Sequence, residues 1–352
     1  MSTSDVTKDG ITGARPDRDA LTGATRPGRR RRRRGEQLMV PDAEFGSYYG
    51  KPVLNQVPWA ESDIAGYLFL GGLAGASSGL AAGAHVTGRP ALATAMKLTA
   101  LAAISGSVVA LVHDLGRPAR FVNMLRVFKP TSPMSVGSWL LAGYGPLAGA
   151  AAISDLTGLL PRAGTAATLA AALGGAAVAA YTAPLICDTA VPAWHDGYRE
   201  MPFVFVGSAA AAAGGAGMLA APMAQALSAR RAAVAGAVLE TLALYRMRAR
   251  MGLAAQTYDR GRAGRLMKAA TTLTVAGATG AVLLGGRSRL AAALSGAALL
   301  AGSACTRFGV FCAGTASAAD PKYTVVPQRA RLRARAGDLA DREEPADTVR
   351  GN

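Results

Sequence analysis

Residues 63–86 read DIAGYLFLGGLAGASSGLAAGAHV, and this stretch decides the fold class. After Asp63 at its first position, the stretch contains no acidic residue, lysine or arginine. About 20 consecutive apolar residues in a helix cross the ~30 Å hydrocarbon core of a bilayer. A helix on the surface of a soluble protein would instead show polar residues along one face. The stretch is therefore predicted to be a transmembrane helix.

Further stretches of the chain have the same apolar character, and charge is concentrated between and outside them. The sequence predicts an all-α membrane protein, a bundle of about eight transmembrane helices. We expect the helices at about 63–86, 91–113, 134–156, 164–187, 202–228, 231–247, 265–286 and 289–311. The sixth has the weakest pattern, because it is short and contains Glu240. We also expect a basic, mostly disordered tail over 1–62, with Tyr48–Trp59 along the membrane surface, and a polar tail over 312–352.

The chain is basic, with a formal net charge of +16. In a soluble protein such a charge would suggest nucleic acid binding. Basic residues of a membrane protein collect on its cytoplasmic side, which is the simpler interpretation here. An even number of helices puts both termini on one side, with Arg29–Arg34, the loop after the second helix and the basic connection after the sixth. We expect a multi-pass protein of the cell membrane, in contact with lipid and not nucleic acid, with both termini cytoplasmic.

The metal-binding side chains are few. The three cysteines, Cys187, Cys305 and Cys312, have no CxxC spacing and are too few for an iron–sulfur cluster or a four-cysteine zinc site. A haem with two histidine ligands needs a pair at matching depth on facing helices. The chain's three histidines do not provide such a pair: His85, His113 and His195. We therefore expect no haem, iron–sulfur cluster or metal in this chain.

Two connecting segments have distinctive sequences. Residues 113–139 read HDLGRPARFVNMLRVFKPTSPMSVGSW, and Pro192–His195 read PAWH. Together they resemble the NrfD / polysulfide reductase family of integral membrane subunits. The resemblance extends from the first predicted helix to the DPKY stretch at 320–323.

The resemblance implies a function. Proteins of this family are helical subunits without a cofactor of their own, which bind a quinone, menaquinone or ubiquinone, near one membrane face. They dock there onto a ferredoxin-like subunit with [4Fe–4S] clusters, usually attached to a molybdopterin oxidoreductase catalytic subunit. We therefore expect a quinone-interacting anchor of a respiratory oxidoreductase, which is not catalytic alone.

A quinone site needs an apolar slot, donors for the carbonyl oxygens and a route for protons. The predicted helices bring five suitable side chains to one membrane face, and we predict that they form the site: Asp63, Tyr67, His113, Asp114 and Tyr181. Histidine exchanges protons near neutral pH, and tyrosine can donate to a quinone oxygen. Two simpler interpretations remain open. Asp114 with Arg117 can be an ordinary loop ion pair, and the tyrosines can be interfacial aromatics.

The same face has residues suited to docking an acidic electron-transfer subunit by charge complementarity. We predict this role for Arg117, Arg120, Arg126, Lys129, Trp194 and His195. Membrane orientation alone also explains the basic residues, and Trp139 and Trp194 also fit an aromatic belt.

Two charges, Glu240 and Lys97, lie within predicted helices. Ionisable residues inside the membrane are functional candidates by default. Both are expected in the outer half of the bilayer, where they can pair or transfer protons.

Two other functions compete with quinone chemistry. A purely structural anchor would tether the same partners without binding a quinone. A solute or ion transporter would typically show two similar halves, and the sequence shows no convincing internal repeat.

Overall fold

A computed structural model describes residues 6–7, 10–11, 53–55, 57–117 and 119–343. The chain divides into two units, Met1–Val53 and Leu54–Asn352. In the first, strand β1, Val6–Thr7, pairs antiparallel with strand β2, Gly10–Ile11. The Arg29–Arg34 run and half of the predicted Tyr48–Trp59 surface segment, residues 48–52 and 56, lie outside the described residues.

The second unit is helical. Among its described residues, the eight long bundle helices are α1 Glu61–Val86, α2 Pro90–Asp114, α4 Pro133–Thr157, α5 Pro161–Cys187, α7 Met201–Ala220, α8 Leu227–Arg250, α10 Gly261–Leu283 and α11 Arg289–Ala319. The other helices are α3 Ala119–Met124, α6 Pro192–His195, α9 Gln256–Asp259 and α12 Lys322–Glu343, with a 3-10 turn at Gly252–Ala255. Helices α2, α4, α5 and α6 each begin with proline, which has the fixed φ of a helix and lacks only an N–H that would have no partner there.

The predicted fold class, an all-α membrane bundle, is confirmed. Among the described residues, seven helices are long and apolar enough to cross a membrane: α1, α2, α4, α5, α7, α10 and α11. The predicted start of the polar tail at residue 312 is wrong. Helix α11 continues to Ala319, because no charged residue interrupts it between Arg307 and Asp320. Residues Lys322–Glu343 of the predicted tail then form α12.

Helix α8 is not among these seven, yet it crosses the bundle. At its start, Arg230 donates a hydrogen bond to the carbonyl of Ala281, near the end of α10. At its end, Arg250 pairs with Glu200, directly before α7. Its two ends therefore lie at opposite ends of the bundle, and the eight long helices alternate in direction.

The alternation gives the bundle two faces. The near face is the end of the bundle where α1 begins, marked by Asp63, Asp114 and Glu200. The far face is the opposite end, where Arg289 of α11 donates to the carbonyls of Met218 and Ala221 at the end of α7. Helix α1 is central and contacts α2, α5, α7 and α11.

Candidate functional site

An apolar pocket lies at the near face between α1, α2, α4 and α5. Its walls include Ile64 and Leu68 of α1, Leu111 of α2, and Leu185 and Ile186 of α5. Trp59 and two methionines, Met124 and Met134, complete the side toward the loops.

The polar groups of the pocket are Asp114, Ser138 and Tyr181. The Tyr181 hydroxyl accepts a hydrogen bond of 3.1 Å from the hydroxyl of Tyr67, which is almost fully buried on α1. Because the Tyr181 oxygen accepts this bond, its own proton stays available to a molecule in the pocket. Ser138 instead donates to the carbonyl of Met134, one turn earlier in α4.

The Tyr181 ring occupies space that only a glycine leaves free. A Cβ atom placed on Gly137 of α4 would overlap the Tyr181 phenol. Helices α4 and α5 are thus close at this point, and the phenol passes across the bare backbone of α4. Gly137 belongs to the distinctive loop sequence, but the pattern alone did not indicate its role.

Two of the predicted quinone residues, Asp63 and His113, lie beside the pocket. Asp63 and His113 form a pair, with 2.7 Å between Oδ2 and Nδ1, and the His113 side chain is 79% exposed. Asp114 accepts a 3.0 Å hydrogen bond from the backbone N–H of Ala60. The alternative Asp114–Arg117 ion pair is not formed in the described part of the chain. All five predicted side chains therefore lie at the near face, with Asp114 and Tyr181 in the pocket itself.

The predicted docking residues separate into two groups. Arg117, Arg120, Arg126, Lys129 and His195 are exposed at the near face. Trp194 is fully buried, where it donates to the carbonyl of Val310 and stacks on Trp59 at 6.0 Å between ring centroids. Its ring therefore presents no surface to a partner or to the aromatic belt. Trp139 is 43% exposed.

The predicted pairing of Lys97 with Glu240 is wrong. Lys97 pairs with Asp155 near the end of α4, at 2.5 Å, and Thr94 also donates to this carboxylate. Sequence reasoning missed Asp155 as a partner, although it lies within the predicted third span. The pair lies toward the far face.

Sequence reasoning also missed a second buried cation, Arg307, which follows directly after Thr306, the residue bonded to Glu240. Glu240 Oε1 accepts a 2.6 Å hydrogen bond from Thr306, and the neighbouring Arg307 is fully buried. Arg307 donates to the Phe205 carbonyl at 2.8 Å and lies 3.7 Å from the centre of the Phe205 ring. Glu240 Oε2 and Arg307 Nε and Nη1 have no protein partner in the described structure. Arg307 could have been recognised from the sequence, because it is a charged residue within the predicted last helix, 289–311.

The model of the family described as "Polysulphide reductase, NrfD" matches residues 53–256. The chain belongs to the polysulphide reductase NrfD family. No curated protein sequence matches the chain.

The family match includes every helix that forms the pocket, from α1 to α5, and both distinctive connecting segments. It ends at residue 256, so α10, α11 and α12 lie beyond it. The resemblance read from the sequence as far as residues 320–323 is thus carried by the family model only to residue 256. As a member of this family with seven candidate spans, the protein is a multi-pass membrane protein.

Proposed function

We propose that this protein is the quinone-interacting anchor subunit of a respiratory oxidoreductase. It holds menaquinone or ubiquinone in the near-face pocket and exchanges electrons with an iron–sulfur partner subunit. The observation that carries the proposal is the combination of Tyr181 and Asp114 in one apolar pocket at the end of the spanning helices.

The residues present fit a quinone. The aliphatic walls suit its ring and tail, Tyr181 has a hydroxyl proton to donate to one carbonyl oxygen, and Asp114 can exchange a proton with water at the surface. A bound quinone supplies two-electron, two-proton redox chemistry. The free volume, about 70 Å³, is smaller than typical ligand pockets of ~300–1,000 Å³. Met124 and Met134 line the side toward the loops, and their unbranched side chains can move to admit the ring.

The partner is proposed from charge. Arg120, Arg126 and Lys129 are exposed in the segment that also borders the pocket. An acidic ferredoxin-like subunit with [4Fe–4S] clusters would be attracted to this surface and would bring its cluster close to the pocket. A molybdopterin catalytic subunit would complete the complex.

Replacement of Tyr181 by phenylalanine tests the proposal. Tyr181→Phe removes the only atom with which this ring can donate to a quinone, so quinone-linked turnover of the purified complex should fall roughly tenfold or more. The matched control is Tyr144→Phe, because Tyr144 bonds Ser78 and the Ala74 carbonyl away from the pocket. Equal turnover of the two variants would contradict the proposal.

A direct quinone-binding measurement distinguishes this proposal from a purely structural anchor. The isolated protein should bind a fluorescent or spin-labelled quinone analogue, and Tyr181→Phe should weaken that binding. A protein that assembles with its partners but binds no quinone would be a purely structural anchor.

Proton transfer is a second candidate function, favoured by the buried Glu240 and Arg307. Their unpartnered atoms can hold internal water, which conducts protons between groups. Glu240→Gln should then change the number of protons moved per quinone while leaving quinone binding intact. Unchanged turnover and proton balance in this variant would remove the idea.

A further inference from the structure

A second cavity lies at the near face, separate from the pocket of Tyr181. It has a volume of about 670 Å³ and opens between the start of α1, the start of α10 and the junction of α11 with α12. Most of its lining lies beyond residue 256, outside the family match. Its volume is in the range of ~300–1,000 Å³ that is typical of ligand sites.

The cavity combines an apolar wall with a basic rim. Ala263 of α10 and Ala316 of α11 lie on the wall, within a turn of the helix ends. Arg260, Arg262 and Lys322 lie where the spans end. The ends of spanning helices lie at the level of lipid headgroups, so this rim is at the depth of phosphate.

The charges of the rim are only partly compensated. Arg262 pairs with Glu61 at 2.7 Å, and Lys322 pairs with Asp320 at 3.0 Å. Arg260 forms no ion pair within the described part of the chain. A guanidinium has five N–H donors, so Arg262 also keeps donors beyond its bond to Glu61. The rim therefore has a positive excess and free donors suited to a phosphate.

We propose that this cavity binds the headgroup of an anionic phospholipid, with its phosphate at Arg260, Arg262 and Lys322. The apolar wall lets the acyl chains continue into the hydrocarbon, which a free phosphate would not need. Helix α12 starts at the cavity, and its exposed Arg329, Arg331 and Arg333 add attraction to an anionic membrane surface. The site is independent of the proposed quinone pocket.

The test uses the full-length protein, stripped of lipid by extended detergent washing. Phosphatidylglycerol should raise its Tm by roughly 2–4 °C, since a ligand of the folded state stabilises it, whereas phosphatidylcholine should not. The double variant Arg260→Ala/Lys322→Ala should lose this rise. A matched control at the far face, Arg231→Ala/Arg287→Ala, removes the same charge and should keep it.

Other outcomes overturn the proposal. They are an undiminished rise in the Arg260/Lys322 variant, an equal rise with phosphatidylcholine, and a full rise with inorganic phosphate, which would assign the cavity to a soluble anion. If the double variant does not fold, Arg260→Gln alone should reduce phosphatidylglycerol adducts in native mass spectrometry. Unchanged adducts in that variant would likewise refute the lipid site.

Discussion

At the scale of single residues, Gly137 decides whether the Tyr181 phenol can reach the pocket. Gly137→Ala places a methyl group where the phenol lies, and such overpacking typically costs about 1–3 kcal/mol or displaces the ring. We expect the displaced phenol to weaken quinone binding to the purified protein. Gly143→Ala, on the same helix but with open space around its Cβ, should bind quinone like the wild type. Equal binding by both variants would show that the phenol has no part in it.

The ion pair between Glu200 and Arg250 predicts a pH dependence of stability. The Glu200 side chain is 8% exposed, and hydrogen bonds from Arg250 lower the pKa of its carboxyl group. Its contribution is complete above the unfolded-state pKa, about 4.3, and is lost as the pH falls through the lower pKa of the folded state.

Thermal unfolding in detergent checks this linkage. The wild type should be more stable than Glu200→Gln at neutral pH, and the difference should shrink as the pH falls below about 4.3. Asp188→Asn changes an exposed carboxylate and should keep the wild-type pH profile. A difference between the wild type and Glu200→Gln that does not change with pH would refute the linkage.

The sequence predicted the depth of these residues better than their partners. Asp114 and Tyr181 were placed at one face, because the ends of apolar spans can be read from charge. The direction in which a side chain points around its helix axis cannot be read in the same way when a helix is apolar on all sides. For this reason the sequence did not reveal that Lys97 pairs with Asp155 rather than with Glu240. It likewise did not reveal that Trp194 points inward and bonds the carbonyl of Val310.

At the scale of the helices, the glycines that recur every four residues in α1, at 71, 75, 79 and 83, have different surroundings. A Cβ on Gly75 would overlap the backbone carbonyl of Gly175 in α5, whereas Gly79 has open space around it. Gly75→Ala should therefore push α1 from α5 and destabilise the protein by roughly 1–3 kcal/mol, because a backbone atom cannot move aside as a side chain can. Gly79→Ala should be nearly neutral. Thermal unfolding of the two variants in the same detergent tests this, and equal stabilities would contradict it.

Helix α8 corresponds to the sixth predicted helix, which had the weakest sequence pattern. Arginines at both ends lower its average hydropathy, yet its charge at Glu240 is buried and its exposed middle includes Val238 and Leu242. The absence of charge along most of the segment was therefore the better signal. Its bounds were less predictable, since the break after Ala220 is made by a turn within an apolar stretch.

At the scale of the whole molecule, the alternation of eight helices gives the near and far faces opposite sides of the membrane. The near-face loops contain Arg117, Arg120, Arg126 and Lys129, and the positive-inside rule predicts that such loops remain in the cytoplasm. Cysteine labelling in intact cells tests this orientation.

A membrane-impermeant maleimide should label Arg287→Cys at the far face in intact cells. It should label Thr131→Cys at the near face only after the cells are permeabilised. The reverse pattern would place the near face, with its proposed quinone pocket and docking surface, outside the cytoplasm. The electron-transfer partner would then have to be an exported protein, while the tests at Tyr181 and Gly137 would keep their expected outcomes.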